Sequence, residues 1–316
     1  MYKRMLVPLD GSRLAEMVFT YAAEFAVRLN VVPTLVHVCR QEELELLPMH
    51  KAYIESAAKV IELGLIDMID RQGSSITIGE LKPKVELLTG KPAHTILQYV
   101  DENDIDLIIM STRGRSGVKR WAMGGGADRI LHEANIPTLL IKSDTSEAPI
   151  EDSLPRRTLI VPLDGSEVGE LVLSHVETLA NQMGKDDVDI VLLKVCEPPD
   201  IMSPVSYYAT PDTYPPERPV THRRYVEKET AKCEMLGLQY LGDIEGNLKE
   251  RGLSVKSEVL IGKAADEIVR YADTIPYSIV VMAAHSRSEL SRRVYGGVAW
   301  KVLLGSSRPT FIMRPQ

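Results

Sequence analysis

The strongest constraint on the fold is an internal repeat. The stretch DLIIMSTRGRSGVKRWAMGGGADRILHEANIPTLLIK, residues 106–142, returns as SIVVMAAHSRSELSRRVYGGVAWKVLLGSSRPTFIMR, residues 278–314. Each copy reads as a buried strand, a polar loop rich in small residues, a helix opened by glycines, and a second buried strand. Where a strand of a parallel sheet turns into a helix, successive N–H groups face one concavity and the helix dipole adds positive charge there. That order therefore favours an anion such as phosphate. In the first copy Gly114, Gly117 and the run Gly124, Gly125, Gly126 provide backbone that can take positive φ or approach a phosphate without an intervening Cβ.

The repeat extends upstream. LVPLDGS (6–12) and TLIVPLDGS (158–166) are short apolar strands broken by Asp-Gly, and Ser12 is a suitable N-cap for an amphipathic helix through Leu29. VPTLVHVC (32–39), a long helix over 52–73, the strand KVELLTGK (84–91) and a helix from about Ala93 to Glu102 complete the first copy. The second copy restarts with a helix from about Gly169 to Met183, DIVLLKV (189–195), a helix from about Arg223 to Arg251, SVKSEVLIG (254–262) and AADEIVRYA (264–272). Strands alternating with helices at this spacing imply right-handed crossovers and an α/β fold. Two tandem domains are expected, each a five-stranded parallel sheet with helices on both faces. Their expected bounds are 1–142 and 158–316, joined by the polar, proline-containing linker 143–157. The second copy also carries an inserted loop, EPPDIMSPVSYYATPDTYPPERPV (197–220), which reads either as a surface excursion or as a lid or docking loop.

Composition narrows the function. A formal charge of −7 argues against a nucleic-acid binder, which needs a clustered positive excess. Cys39, Cys196 and Cys233 are too few and too scattered for a disulfide framework or a CxxC metal site, so a reducing cytoplasm is expected. No apolar run reaches the roughly 18 residues of a membrane span, and the first residues lack the apolar core of a signal peptide.

With these motifs in view, each half resembles a universal stress protein domain, whose motif after the fourth strand is G-x2-G-x9-G-[S/T]. The motif positions fall on Ser111, Gly114, Gly124 and Gly125, and again on Ala283, Ser286, Gly296 and Gly297, with the spacing kept. The first glycine is thus Ser or Ala, the final Ser/Thr is Gly in both halves, and the middle glycine is absent from the second. The resemblance implies an adenine nucleotide site, for ATP with Mg2+ if bound. Pro8, Leu9, Asp10 and Val38 would frame base and ribose in the first half, with Met110, Ser111, Gly114, Gly124, Gly125 and Gly126 around the phosphates. The second-half counterparts are Pro162, Leu163, Asp164, Val195, Met282, Ala283, Ser286, Gly296, Gly297 and Val298.

The physics of a carboxylate at the end of a parallel strand agrees with a ribose contact. A turn-forming Asp-Gly is the alternative for Asp10 and Asp164. Domain 1 is expected to bind better than domain 2, because a non-glycine at a positive-φ position costs roughly 1–2 kcal/mol.

Arg113, Arg115, Lys119 and Arg120, and Arg287, Arg292 and Arg293, crowd the two motif loops, where they read as solvated or as phosphate contacts. Trp121 and Trp300 read as packing residues. His94, His132 and His175 fall in helical patterns, which leaves His285 as the one histidine near the chemistry. No Walker, HExxH, GxSxG or paired metal-ligand spacing occurs, so no dedicated catalytic or metal-binding residues are assigned and slow ATP hydrolysis is the most an enzyme reading supports. The resemblance also implies domains that pair through their last strands, TLLIK (138–142) and TFIMR (310–314), a homodimer of tandem chains, and an unidentified protein partner. The competing reading is a nucleotide-free scaffold in stress response.

Overall fold

The computed structural model describes residues 1–73, 75–112, 125–142, 145, 153–199, 218–284 and 297–314. The first half runs β1 (Met5–Leu9), α1 (Arg13–Glu16), α2 (Phe19–Leu29), β2 (Pro33–Cys39), a 3-10 turn (Gln41–Leu46), α3 (Leu47–Gln72), β3 (Lys84–Thr89), α4 (Pro92–Glu102), β4 (Leu107–Ser111), α5 (Gly125–Glu133) and β5 (Thr138–Ile141). The second runs β6 (Arg157–Pro162), α6 (Glu167–Glu170), α7 (Val172–Met183), a 3-10 turn (Lys185–Asp187), β7 (Val188–Cys196), α8 (Arg218–Glu250), β8 (Ser254–Ile261), α9 (Ala264–Thr274), β9 (Ser278–Ala283), α10 (Gly297–Gly305) and β10 (Thr310–Met313).

The ten strands form one sheet in the order β3-β2-β1-β4-β5-β10-β9-β6-β7-β8. Within each half every pairing is parallel. The halves meet at β5 and β10, which pair antiparallel with Phe311 opposite Leu139. This is the pairing of last strands that the resemblance implied, and it leaves neither β5 nor β10 as an open edge. The true edges, β3 and β8, carry Lys84, Glu86, Lys256 and Glu258, charges that discourage further strand addition.

Both faces of the sheet are covered, which is why the central strands are apolar throughout. On one face α2, α3, α7 and α8 cover a core containing Val7, Leu35, Leu159, Leu192 and Phe311. On the other, α4, α5, α9 and α10 cover Leu6, Val36, Ile108, Ile160 and Val280. Each core spans both halves.

Three local features differ from the sequence reading. The helix expected from Ser12 to Leu29 is broken: Ser12 Oγ caps α1 by accepting the Ala15 N–H at 3.1 Å, α1 ends at Glu16 with Met17 as its C-cap, and α2 restarts at Phe19. The second half repeats the break at Leu171. The helix expected from residue 52 begins at Leu47, and α8 begins at Arg218, inside the segment 197–220; residues 200–217 of that segment lie outside the described residues. The cysteines also need correcting. Cys196 at the end of β7 is bonded to Cys233 on α8, and only Cys39 is a thiol. The two partners are 37 residues apart, and the fold brings their Cα atoms to 6.0 Å.

Candidate functional site

β1 lies between β2 and β4, so the chain leaves it in one direction and returns on the other side. At such a switch point the carboxyl ends of the strands open a crevice. The β1–β4 ladder pairs Met5 with Leu107 and Leu6 with Ile108 and stops there, although both strands continue. Pro8, Leu9 and Asp10 therefore line one side of the opening, and Met110 and Ser111 the other. The second half repeats the arrangement: the β6–β9 ladder ends at Ile160 and Val280, leaving Pro162, Leu163 and Asp164 opposite Met282 and Ala283.

Burial grades these residues. Leu9, Val38, Met110, Leu163, Met282 and Ala283 are buried, while Pro8, Asp10, Ser111, Pro162 and Val195 are half-buried at the mouth. Asp10 Oδ1 accepts the Ser12 N–H at 3.0 Å across Gly11, whose φ of 80° explains the glycine. Asp164 does the same for the Ser166 N–H at 2.9 Å and also accepts from the Ser166 hydroxyl at 2.6 Å, across Gly165 at φ 90°. The turn-forming role of both aspartates is thus visible in their geometry. It engages Oδ1 of each carboxylate.

Gly125 and Gly126 open α5, and Gly297 and Val298 open α10, all four exposed. A Cβ on Gly125, Gly126 or Gly297 would meet nothing within 4 Å. The motif loops themselves, with Gly114, Gly117 and Gly124 and with Ser286 and Gly296, lie outside the described residues, as do Trp121, His285 and the loop arginines and lysines. Trp300 is half-buried, packs on the α9–α10 core, and tilts against His132 with ring centroids 6.2 Å apart.

Residues that sequence reasoning passed over sit beside the crevice. Alternation along β2 sends Val36 and Val38 toward α4 and His37 toward α3. The His37 ring donates from Nδ1 to the Leu9 carbonyl at 2.8 Å, and its Nε2 meets His50 Nδ1 at 2.7 Å. Tyr53 closes edge-on over His37 at 5.4 Å. Burial pushes the Tyr53 hydroxyl well above the usual phenol range, and the nearby carboxylates of Glu16 and Asp10 push it further. His285 is therefore not the only histidine near the chemistry. The signal was the strand alternation, which separates His37 from its neighbour Val38.

In the second half Lys194 takes the place of His37. Its Nζ donates to the Asp164 carbonyl at 2.9 Å and lies 5.2 Å from the Tyr240 ring centroid. Tyr240 in turn donates to Glu170 at 2.8 Å. Burial lowers the Lys194 ammonium's pKa, partly offset by the Asp164 carboxylate. A cavity of about 400 Å³ opens here, lined by Lys194, Cys233, Leu236 and Tyr240 among others. The two crevices share a backbone plan and differ in the side chains beneath them.

Comparison with known proteins agrees with the repeat. The model of the universal stress protein family matches residues 1–142 and again 155–314. A universal stress protein of Mycobacterium tuberculosis is 21% identical over 315 residues, covering 98% of this chain and 96% of its own length. One from Methanocaldococcus jannaschii is 24% identical over 147 residues, covering 46% of this chain and 86% of its own. Among solved structures, a universal stress protein from Archaeoglobus fulgidus superposes with a TM-score of 0.64 at 17% identity, covering 98% of this chain and 96% of that one. With two family domains matched end to end and the strand order to go with them, the chain belongs to the universal stress protein family in its tandem form.

Proposed function

We propose that the chain binds an adenine nucleotide, ATP, in the crevice of its first half and uses it as a switch in stress response. The observation that carries this is the conjunction at the β1–β4 switch point. A half-buried carboxylate, Asp10, is held by its own turn at the end of β1, facing Met110 and Ser111 across a ladder that has stopped pairing. Asp10 would accept from ribose hydroxyls, Leu9 and Val38 would frame the base, and the exposed amides that open α5 would face the phosphates, with Mg2+ accompanying them if bound. Among the described residues the crevice offers charge stabilisation and no positioned base, so slow hydrolysis at most is expected. Binding shifts a conformational equilibrium only through different affinity for its two states, and the segment after β4 is where that difference would be expressed.

The second crevice is the weaker site in this reading, because its loop has Ser286 where the first has Gly114. A nucleotide-free scaffold is the second reading. It is favoured by the engagement of both aspartates as turn acceptors, a role that needs no ligand. Denaturing the purified chain and analysing the released small molecules by mass spectrometry separates the two. Co-purified ATP, ADP or AMP is expected for the switch, and none at any loading for the scaffold.

A further inference from the structure

Cys39 ends β2, Glu43 lies on the following 3-10 turn, and His50 lies on the first turn of α3. Their sulfur, carboxylate oxygen and ring nitrogen all fall within 4.8 Å of one another. From this cluster we propose a transition-metal site of the Zn2+ class, distinct from the nucleotide crevice and independent of whether a nucleotide binds.

The hydrogen bonds around the histidine fit a metal ligand. A carbonyl only accepts, so the Leu9 oxygen requires His37 to carry its proton on Nδ1. In the tautomer that ligates a metal, His37 Nε2 accepts and His50 donates from Nδ1 across the 2.7 Å contact. That leaves the lone pair of His50 on Nε2. The His50 side chain is buried, and among the described residues Nε2 has no hydrogen-bond partner. It faces Glu43 Oε2 at 3.9 Å, with the Cys39 sulfur beside them. The three atoms lie close enough together to ligate one cation, which would draw the Cys39 sulfur from the Arg40 carbonyl at 3.5 Å while Glu43 keeps the Arg40 N–H at 3.3 Å.

The chemistry of the set is specific. One thiolate, one imidazole and one carboxylate suit a borderline dication, with bonds of roughly 2.0–2.3 Å in tetrahedral geometry, and three protein ligands leave a fourth position open. Glu43 is partly exposed, which gives an ion a way in from solvent. On binding, the Cys39 thiol would release its proton to water. The His37 ring would act as the outer partner that orients a metal-bound histidine, here anchored to the Leu9 carbonyl.

The second half supplies an internal control. Tyr240 takes the place of Tyr53: its hydroxyl donates to Glu170 of α6, and Tyr53 lies near Glu16 of α1. Three residues before Tyr240 stands Gly237, where His50 stands three before Tyr53. Lys194 replaces His37, and the equivalent of Cys39, Cys196, is bonded to Cys233. The proposal therefore requires one metal per chain.

The test is a titration of the full chain with Zn2+ by calorimetry, together with Co2+ absorption, since Zn2+ is spectroscopically silent. One equivalent per chain is expected, with a sulfur-to-cobalt charge-transfer band. Cys39→Ser should abolish the band and weaken Zn2+ binding at least tenfold with the far-ultraviolet dichroism unchanged. Replacing Cys196 and Cys233 by serine should leave both readouts intact. His37→Gln, which changes a positioning residue, should weaken binding about 10–100-fold while keeping the band. Absence of saturable one-equivalent binding, a band that survives Cys39→Ser, or a band lost with Cys196 and Cys233 would each overturn the proposal.

Discussion

Glu24 and Arg157 are fully buried, and their charges hold the two halves together. Arg157 donates to both oxygens of Glu24, and Arg28 donates to the same carboxylate at 2.7 Å while reaching the Pro155 carbonyl at 2.5 Å. The Arg157 guanidinium lies 5.7 Å from the Tyr21 ring centroid and 5.8 Å from that of Tyr277, so it is also shielded by aromatic faces from both halves. Burial alone would raise the Glu24 pKa. The two guanidiniums, Arg157 foremost, outweigh that and hold the carboxyl below its ordinary value of 4.5. A depressed native pKa contributes stability that is complete above the unfolded value and disappears as pH falls through the native one. Thermal unfolding should therefore lose stability steeply below about pH 4.5 in the wild type, and Glu24→Gln should flatten that acid limb. Because the substitution leaves two buried guanidiniums uncompensated, it should cost about 3–5 kcal/mol at neutral pH by chemical denaturation. A loss within about 0.5 kcal/mol would mean the cluster is hydrated and not structural.

At the scale of elements, two devices reinforce the antiparallel β5–β10 seam. Lys142, just after β5, donates to the carbonyls of Leu304 and Ser306 at 2.7 Å each and so caps the end of α10. Arg314, just after β10, donates to the His132 carbonyl near the end of α5. Each half thus closes a helix of the other. The Cys196–Cys233 bond plays a local part, tying α8 to β7 beside the second crevice. Cys233→Ser should destabilise the chain by about 2–4 kcal/mol, read against wild type under oxidising conditions, and the difference should vanish in reductant. A wild type insensitive to reductant would contradict the bond.

Element order was legible in the sequence because buried parallel strands such as LVPL (6–9) and IVPL (160–163) and their Asp-Gly exits repeat without ambiguity. The helix breaks at Met17 and Leu171 were not, since the residues around them have ordinary helical character and only the turn onto the sheet interrupts them. The disulfide and the His37–His50 pair were hidden for a common reason. Each joins a strand to the helix that follows it, and nothing in the intervening residues fixes which face of the helix meets the strand.

Across the whole molecule, the strand order extends one family domain into a second by pseudo-twofold pairing, so the tandem chain contains within itself an assembly of two domains. Its outer strands are guarded by charge, which directs any further association to helices instead of strand edges. α3 leaves Val60, Leu63 and Ile66 exposed, Leu63 at 68%. A homodimer of tandem chains is the expected outcome, and sedimentation equilibrium should give twice 35.2 kDa at micromolar concentration. A 35.2 kDa species throughout would contradict it. The crevices were legible to the extent that their strand ends were. Asp10 and Asp164 follow the carboxyl ends of β1 and β6, whereas Ser286 and Gly114 belong to loops outside the described residues.

The central claim is that the first crevice holds an adenine nucleotide through Asp10, and calorimetric titration of ATP into wild type, Asp10→Asn and Asp164→Asn tests it most directly. Asparagine keeps the acceptor that Ser12 needs and removes only the charge. The expected result is saturable binding that weakens at least tenfold in Asp10→Asn and changes little at the tighter site in Asp164→Asn. No heat of binding at millimolar ATP, or a wild-type isotherm in Asp10→Asn, would contradict the account and leave the crevice as architecture.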